Sequence, residues 1–489
     1  MEAAPSDPIR ALVHHACTAR FTDLPEQTVA AVQRAMLDTV GAGIAGTSTP
    51  MGRIVTAAAL ETGGRPDSTV WGYRQRVPAA EAAFVNAIMA RCRELDDVHE
   101  GSPVVGMGHG GHVSVMVVPA VIAVAESLPH PVSGAELITA IAVGSDLIPR
   151  LRMAAGSAGR LGFEGPAVAP FGVAAAVGRL YGFDEDTMAN AMGAAYAHCA
   201  GNVQATRDGA WDVWLNAGIA ARAGFVAADL ARRGHHGTGA PLLGAAGLYP
   251  LYFRGEYHER GLLTELGQTF EGTHLSTKLY SSCKYTHNPI YTLTELARQN
   301  GITAADIERI SVLTNSHEMR VVVLDQEGQH KHEPATVGAA QFSLPFVLAI
   351  ALVHGDVFPD TLTEESLHDP ETLALAKRVV VQVDPAKDEL LKKTGYPPDD
   401  VEIRTWDGRT VAACLPYTKG HPRNPVTFDE VVTKFERCCA LSELSPSANV
   451  RAAFVDDVHA LPTLSDCRHL VADLFRDAHD DVPVAATAA

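Results

Sequence analysis

The stretch RCRELDDVHEGSPVVGMGHGGHVSVMVVP, Arg91 to Pro119, decides how the rest of the chain reads. Glu94, Asp96, Asp97, His99 and Glu100 crowd into one short run, and a glycine-rich segment carrying His109 and His112 follows. Apolar text flanks it on both sides, AAEAAFVNAIMA before and VMVVPAVIAVAE after. Acids and imidazoles between two buried helices are costly unless paired or solvated in a cleft. Such settings shift proton affinities, which makes the run a candidate site. The competing reading is a solvated acidic turn behind a helix. Against it, acids at a helix C-terminus oppose the helix dipole, and on a continued helix Glu94 and Asp97 share a face. The glycines Gly106, Gly108, Gly110 and Gly111 let backbone approach a ligand. They do not form a dinucleotide loop, because no strand-then-helix context surrounds them.

Outward from this run, the text from Pro8 to about Gly239 has helical apolar spacing. GAGIAG, from Gly41, predicts a close contact between helices rather than a ligand loop. Asp184 and Asp186 sit where a helix start favours acids, and Arg232 and Arg233 where a helix end favours cations. Near Thr273 the grammar changes. IERISVLTN and RVVVQVD read as strands, and VEIRTWDGRTVAACL as a hairpin turning at Asp407-Gly408. QFSLPFVLAIALVHG is an apolar helix between them. After Leu415 the helical text resumes, with Thr427 as N-cap and Glu430 three residues on. The fold class expected is mainly α with an α+β second part. A helical domain is built from both chain ends, 1–272 and 416–489, with an α/β lid inserted at 273–415.

The 489 residues, with 47% hydrophobic and 20% charged side chains, suit a well-buried globular protein of more than one domain. A net charge of −18 argues against nucleic acid as a partner. The 8 cysteines are scattered without a C-x-x-C, and the adjacent Cys438 and Cys439 fit neither zinc spacing nor an easy disulfide. They read as reduced, which places the protein in the cytoplasm. The start, MEAAPSDPIRALVHH, lacks a signal-peptide pattern, and no apolar run is long enough to span a bilayer.

A second constellation, KLYSSCKYTH, gathers Lys278, Cys283, Lys284, Tyr285 and His287. A polar linking loop is the bland alternative, although loops on a scaffold often carry function. Together with the stretch that runs from NAIMARCRELDD to VVPAVIAVAE, the run from Pro334 to Gly355 and KGHPRNPVTFDEVVTKF, it resembles the MmgE/PrpD family, four segments in the family's order. That family includes 2-methylcitrate dehydratase, cis-aconitate decarboxylase and iminodisuccinate epimerase. The resemblance implies a large helical domain, a homodimer and no metal or organic cofactor. It implies a lyase (dehydratase or decarboxylase) acting on a small anionic di- or tricarboxylate, with an epimerase or isomerase of a small dicarboxylate, or a divergent family member with a different small-acid substrate, as the alternatives.

Carried over residue by residue, the resemblance makes Lys278, Cys283 and His287 substrate-binding candidates. Glu94 stands where the family has an aspartate, and His112 where it has a histidine, with His109 a rival. Val98 stands in place of a threonine, Glu164 of a histidine and Val213 of a lysine. Ser281, Asn288 and Tyr291 also depart from the pattern. The reactions of the family all move a proton next to a carboxylate, so each needs a positioned acid or base and cations for developing charge. Glu94, Asp97 and His112 are the proton-transfer candidates. Arg93, His109, Lys278, Cys283 and His287 are the candidates for holding substrate.

Overall fold

The computed structural model describes residues 7–108, 111–157, 162–163, 165–394 and 396–477. His109 and Glu164 lie outside the described residues. The helices of the first half are α1 (Ile9–Thr18), α2 (Glu26–Gly46), α3 (Pro50–Thr62), α4 (Ala79–Arg91) and α5 (Ser114–Ser127). They continue with α6 (Gly134–Ala154), α7 (Ala169–Leu180), α8 (Glu185–Tyr196), α9 (Gln204–Asp208) and α10 (Asp212–Arg232). A two-stranded ribbon, β1 (Ser68–Thr69) with β2 (Arg76–Val77), joins α3 to α4.

Helix α5 is apolar all round and is buried along nearly its whole length, from Ser114 to Glu126. Such a helix has no solvent face to offer and belongs at the centre. Helices α4, α6, α7 and α10 surround it. The glycines of α2 act as the sequence predicts. A Cβ at Gly41 would stand 3.0 Å from the Phe435 ring, and one at Gly43 or Gly46 would collide with Trp71 or the Met89 backbone. Small side chains thus let α2 lie directly on α4 and on the later helix Phe428–Ala440. That helix begins with the expected capping box, Thr427 and Glu430 exchanging hydrogen bonds with each other's backbone. The expected N-cap at Asp184 also forms, accepting from the Thr187 N–H at 2.8 Å.

A four-stranded sheet occupies the later part of the chain, in the order β7–β6–β8–β9. Its strands are β6 (Ile307–Thr314), β7 (Val379–Val383), β8 (Asp400–Thr405) and β9 (Thr410–Ala413). β6 runs parallel to β7 and antiparallel to β8. β8 and β9 form the hairpin read at Asp407-Gly408, where Gly408 takes a φ of +88°. The helices Lys284–Asn300 and Leu344–Val353 pack with this sheet, so the architecture is mainly α with a smaller α/β part.

Three two-residue strands escape any reading of the sequence. β3 (Val98–His99) lies between β4 (Gly111–His112) and β5 (Leu275–Ser276), pairing antiparallel with both. This small sheet joins the acidic run to the segment that leads into Lys278. Behind it, the ammonium of Lys434 donates to Leu95 O at 2.6 Å and pairs with Asp38 of α2 at 2.6 Å, all three residues buried. The returning helix therefore props the acidic run from below. All 8 cysteines carry free thiols. Among the described residues, no helix is long and apolar enough to cross a membrane.

Candidate active site

Helix α4 ends at Arg91, and the chain then turns sharply enough that Glu94 takes a φ of +51°. For a residue with a Cβ this conformation is costly, and such strain concentrates at functional sites. The turn aims Glu94 and Asp96 back at Arg91. The Arg91 guanidinium pairs with Glu94 and, at 3.2 Å, with Asp96. Lys278 reaches the same carboxylates, at 2.9 Å from Glu94 Oε2 and 3.9 Å from Asp96 Oδ1. Two cations and two anions thus form one buried lattice. Burial raises the proton affinity of both acids, but Arg91 and Lys278 at Glu94, and Arg91, His112 and Lys278 at Asp96, outweigh it and hold both below the ordinary carboxylate range.

His112 sits against this lattice. Its Nδ1 lies 2.7 Å from Asp96 Oδ2 and its Nε2 3.2 Å from Arg91 Nη2. An ionised carboxylate only accepts and a guanidinium only donates. Nδ1 therefore carries the proton and Nε2 presents its lone pair, so the contacts fix one neutral tautomer. This is the geometry of an imidazole oriented by a carboxylate for proton transfer.

The other expected residues divide. Lys278 is fully buried, and its ammonium donates to Glu94 Oε2 at 2.9 Å and to Glu94 O at 3.3 Å. Asp97 turns away and accepts from the Ser114 N–H at 3.0 Å at the start of α5. Burial pushes its carboxyl up to about 7. Arg93 points to the C-terminal end of α2, donating to Ala45 O at 3.2 Å and Ser48 Oγ at 2.8 Å. A cation belongs there, where carbonyls lack helical partners. His287 is buried, its Nε2 lies 3.2 Å from Ser282 O, and burial with the nearby Lys284 and Lys278 pushes its pKa well below the usual range. It is neutral and lacks the charge expected of it. Cys283 does face the cleft, but burial pushes its thiol up to about 12, so it is no thiolate.

The cleft has a volume of about 600 Å³ and opens over Glu94 and His112. It is lined by further cations, of which only Lys284 belongs to a stretch that stands out in the sequence. Lys284 pairs with Glu100 at 2.6 Å. Lys331 donates to Val321 O at 2.9 Å and Phe342 O at 3.3 Å, and burial lowers its proton affinity. Arg152 donates to Phe163 O at 2.9 Å. Arg207 and Arg320 stand at the exposed mouth, and the Arg320 guanidinium makes no hydrogen bond or ion pair among the described residues. Arg320 lies in a turn, Met319–Val323, wound as a π-helix, a distortion common at functional sites. Gln326 Nε2 crosses the mouth to Asp208 Oδ1 at 2.6 Å.

Three further donors meet in space although their spacing in sequence shows nothing. His99 Nε2 and His274 Nδ1 each lie 3.0 Å from Glu271 Oε2, and the three residues could enclose a cation. The hydrogen bonds argue for another role. The Gly101 N–H donates to His99 Nδ1 at 3.2 Å, so Nε2 carries the proton and gives it to Glu271. Metal on Nε2 would force an N–H at Nδ1 against that of Gly101. The two imidazoles hold the Glu271 carboxyl below its ordinary range despite burial, and together they fix β3.

Comparison with known proteins follows the same outline. The model of the MmgE/PrpD N-terminal domain matches residues 10–260, and that of the C-terminal domain matches residues 280–458. Cis-aconitate decarboxylase of Aspergillus terreus is 26% identical over 388 residues, 75% of this chain and 76% of that protein. Cis-aconitate decarboxylase of Homo sapiens is 24% identical over 464 residues, 91% of this chain and 89% of that protein.

Proposed function

The chain belongs to the MmgE/PrpD family, and from that premise we propose that it is a lyase that moves a proton next to a carboxylate of a small polycarboxylate. The observation that carries this is His112, which lines the cleft with Nδ1 held by Asp96 and Nε2 beside the Arg91 guanidinium, a contact that gives way to substrate. As a neutral imidazole it takes a proton from the carbon α to a carboxylate, the first step of a dehydration. Once protonated, it returns a proton to the carbanion-like carbon left by decarboxylation. Glu94 and Asp96 are neutralised by Arg91 and Lys278, so substrate carboxylates fall to the cations around the cleft, foremost Arg320. Relatives at about this level of similarity are cis-aconitate decarboxylases, which favours a lyase over other proton-transfer chemistry. None of these steps calls on a metal or an organic cofactor, and activity is expected to survive EDTA.

Val213 favours a second possibility. It lines the cleft where the family pattern has a lysine, which removes a cation available for a leaving group or a third carboxylate. An epimerase of a dicarboxylate needs no such group. We further propose residues 273–415 as a lid domain over a body formed by 1–272 and 416–489, and a homodimer in solution, testable by sedimentation. The function is tested by a thermal-shift screen of di- and tricarboxylates, with each hit then incubated in D2O and analysed by NMR and mass spectrometry. A lyase yields an alkene or CO2. An epimerase exchanges one proton for deuterium with no new carbon skeleton. Hits that show neither product nor exchange would refute proton-transfer catalysis.

A further inference from the structure

Behind the cleft wall two acids meet in the interior of the α/β part. Glu318 closes the short helix Ser316–Glu318, which runs directly into the turn Met319–Val323. Asp399 immediately precedes β8. The two residues are 2% and 1% exposed, and their carboxyls lie within hydrogen-bond reach of each other. Neither lines the cleft, but each belongs to a segment that does. His317, Arg320 and Val321 line it from the first segment, and Tyr396 from the second.

The oxygens of this pair are short of donors. Asn315 Nδ2 donates to Glu318 Oε2 at 2.8 Å, which leaves Oε1. Both oxygens of Asp399, and the Thr314 hydroxyl of β6 beside them, are buried without a well-aligned hydrogen bond. Ionised carboxylates only accept, so two of them cannot satisfy each other. One proton on Glu318 Oε1 resolves this, because a protonated carboxyl donates to the carboxylate beside it. Burial pushes both carboxyls above the ordinary range, and the Asp399 charge pushes Glu318 further.

The surrounding charges do not replace that proton. Lys387, on the helix Pro385–Thr394, draws Asp399 down, but its ammonium donates to Pro398 O at 2.6 Å and pairs with Asp400 at 3.1 Å. Asp388 of the same helix accepts from the Ser316 N–H at 2.7 Å and the Ser316 hydroxyl at 2.6 Å. From the helix Lys284–Asn300 comes Asn288, whose Oδ1 accepts from the Asp399 N–H at 2.8 Å and brings no charge. Cys414, just past β9, stays a thiol, since burial pushes it up to about 11.

We propose that Glu318 and Asp399 share a proton and form a clasp that positions the Arg320 turn against the Tyr396 segment, holding this part of the cleft wall together until alkaline solution removes the proton. Both are positioning residues, and the inference holds whichever anion the cleft takes. An acid whose native pKa is raised binds its proton more tightly in the folded chain than in the unfolded one. The clasp therefore stabilises the native state in acid and loses that contribution as pH rises through the native values. When the last proton leaves, two anions face each other and the segments part.

The test is hydrogen exchange read by mass spectrometry on the full chain at pH 6 and pH 9, for the native protein, Glu318→Gln and Glu318→Ala. Comparing chains at one pH cancels the intrinsic pH dependence of exchange. A glutamine amide donates to Asp399 at any pH, and alanine donates at none. At pH 6, peptides covering 315–323 and 396–400 are expected to exchange within about twofold of native in Glu318→Gln and about tenfold faster in Glu318→Ala. At pH 9 the native protein is expected to exchange about tenfold faster than Glu318→Gln in the same peptides, with α5 unchanged. A ratio of native to Glu318→Gln that is the same at both pH values overturns the shared proton. Native-like exchange in Glu318→Ala at pH 6 overturns the clasp. If Glu318→Gln does not fold, Asp399→Asn donates from the other side and carries the same comparison with the same outcomes.

Discussion

Replacing Lys278 with methionine tests whether this residue supports the site or touches the substrate. The side chain keeps its length and loses its charge. In the native lattice Arg91 and Lys278 face Glu94 and Asp96, two cations against two anions. Lys278→Met leaves one buried carboxylate charge uncompensated, and Glu94 O and Oε2 each lose a donor. Breaking a buried pair by removing one partner costs about 3–5 kcal/mol. At about 2.1 cal/mol/K per residue the chain unfolds with an entropy on the order of 1 kcal/mol/K, so the melting temperature falls by about 3–5 °C. The sign of the pH dependence follows from Glu94. Its pKa is held below the ordinary 4.5, so in the native protein its pairing adds stability above that value and loses it as pH falls. The deficit of Lys278→Met is therefore full at neutral pH and shrinks below about pH 4.5. Adding Glu94→Gln removes the stranded charge and recovers at least half of the loss, an interaction that a double-mutant cycle measures. The assay is differential scanning calorimetry at pH 7 and pH 4. A melting temperature within 1 °C of native at pH 7, or no recovery on adding Glu94→Gln, refutes the lattice.

Three further outcomes are expected. Asp97→Asn keeps the acceptor for the Ser114 N–H but cannot ionise. Because the native carboxyl titrates at about 7 against an ordinary 3.8, native stability falls between about pH 4 and pH 7. The variant's melting temperature should gain on the native protein across that window and hold a constant lead above it. Lys434→Met strands the buried Asp38 and the Leu95 carbonyl, costs about 3–5 kcal/mol in thermal unfolding, and is largely recovered by Asp38→Asn. Arg320→Gln should raise KM on the identified substrate by about tenfold to a hundredfold, the worth of one charge-assisted bond, with kcat changed by less than about threefold.

Much of the fold is legible in the chain because it rests on local rules. The glycine stripe of α2, the Thr427 capping box and the Asp407-Gly408 hairpin each follow from spacing and residue type. The candidate site is legible only in part. The run from Glu94 to His112 announces itself as charge among apolar text. The direction of each side chain depends on the positive φ at Glu94, which no propensity assigns to a glutamate. One turn of backbone sends Arg93 to the end of α2 and Arg91 to the carboxylates. The strands β3, β4 and β5 are two residues long, too short for any alternation to show, yet they bring Lys278 to Glu94 across 184 positions. Lys278 and His287 are polar in sequence, but burial decides their work: one becomes a strut and the other a neutral ring. Arg320, Lys331 and Arg152 have no shared local pattern, and only the closed fold puts them around one cleft.

The central claim is that His112 moves the proton. Its most direct test compares kcat and dissociation constant for the native protein and His112→Asn on a substrate found by the carboxylate screen. A proton-transfer group contributes about 10²–10⁴-fold to rate. The expected result is a loss of that size in kcat, with the dissociation constant within about threefold of native. A variant that keeps kcat within about threefold of native would contradict the account.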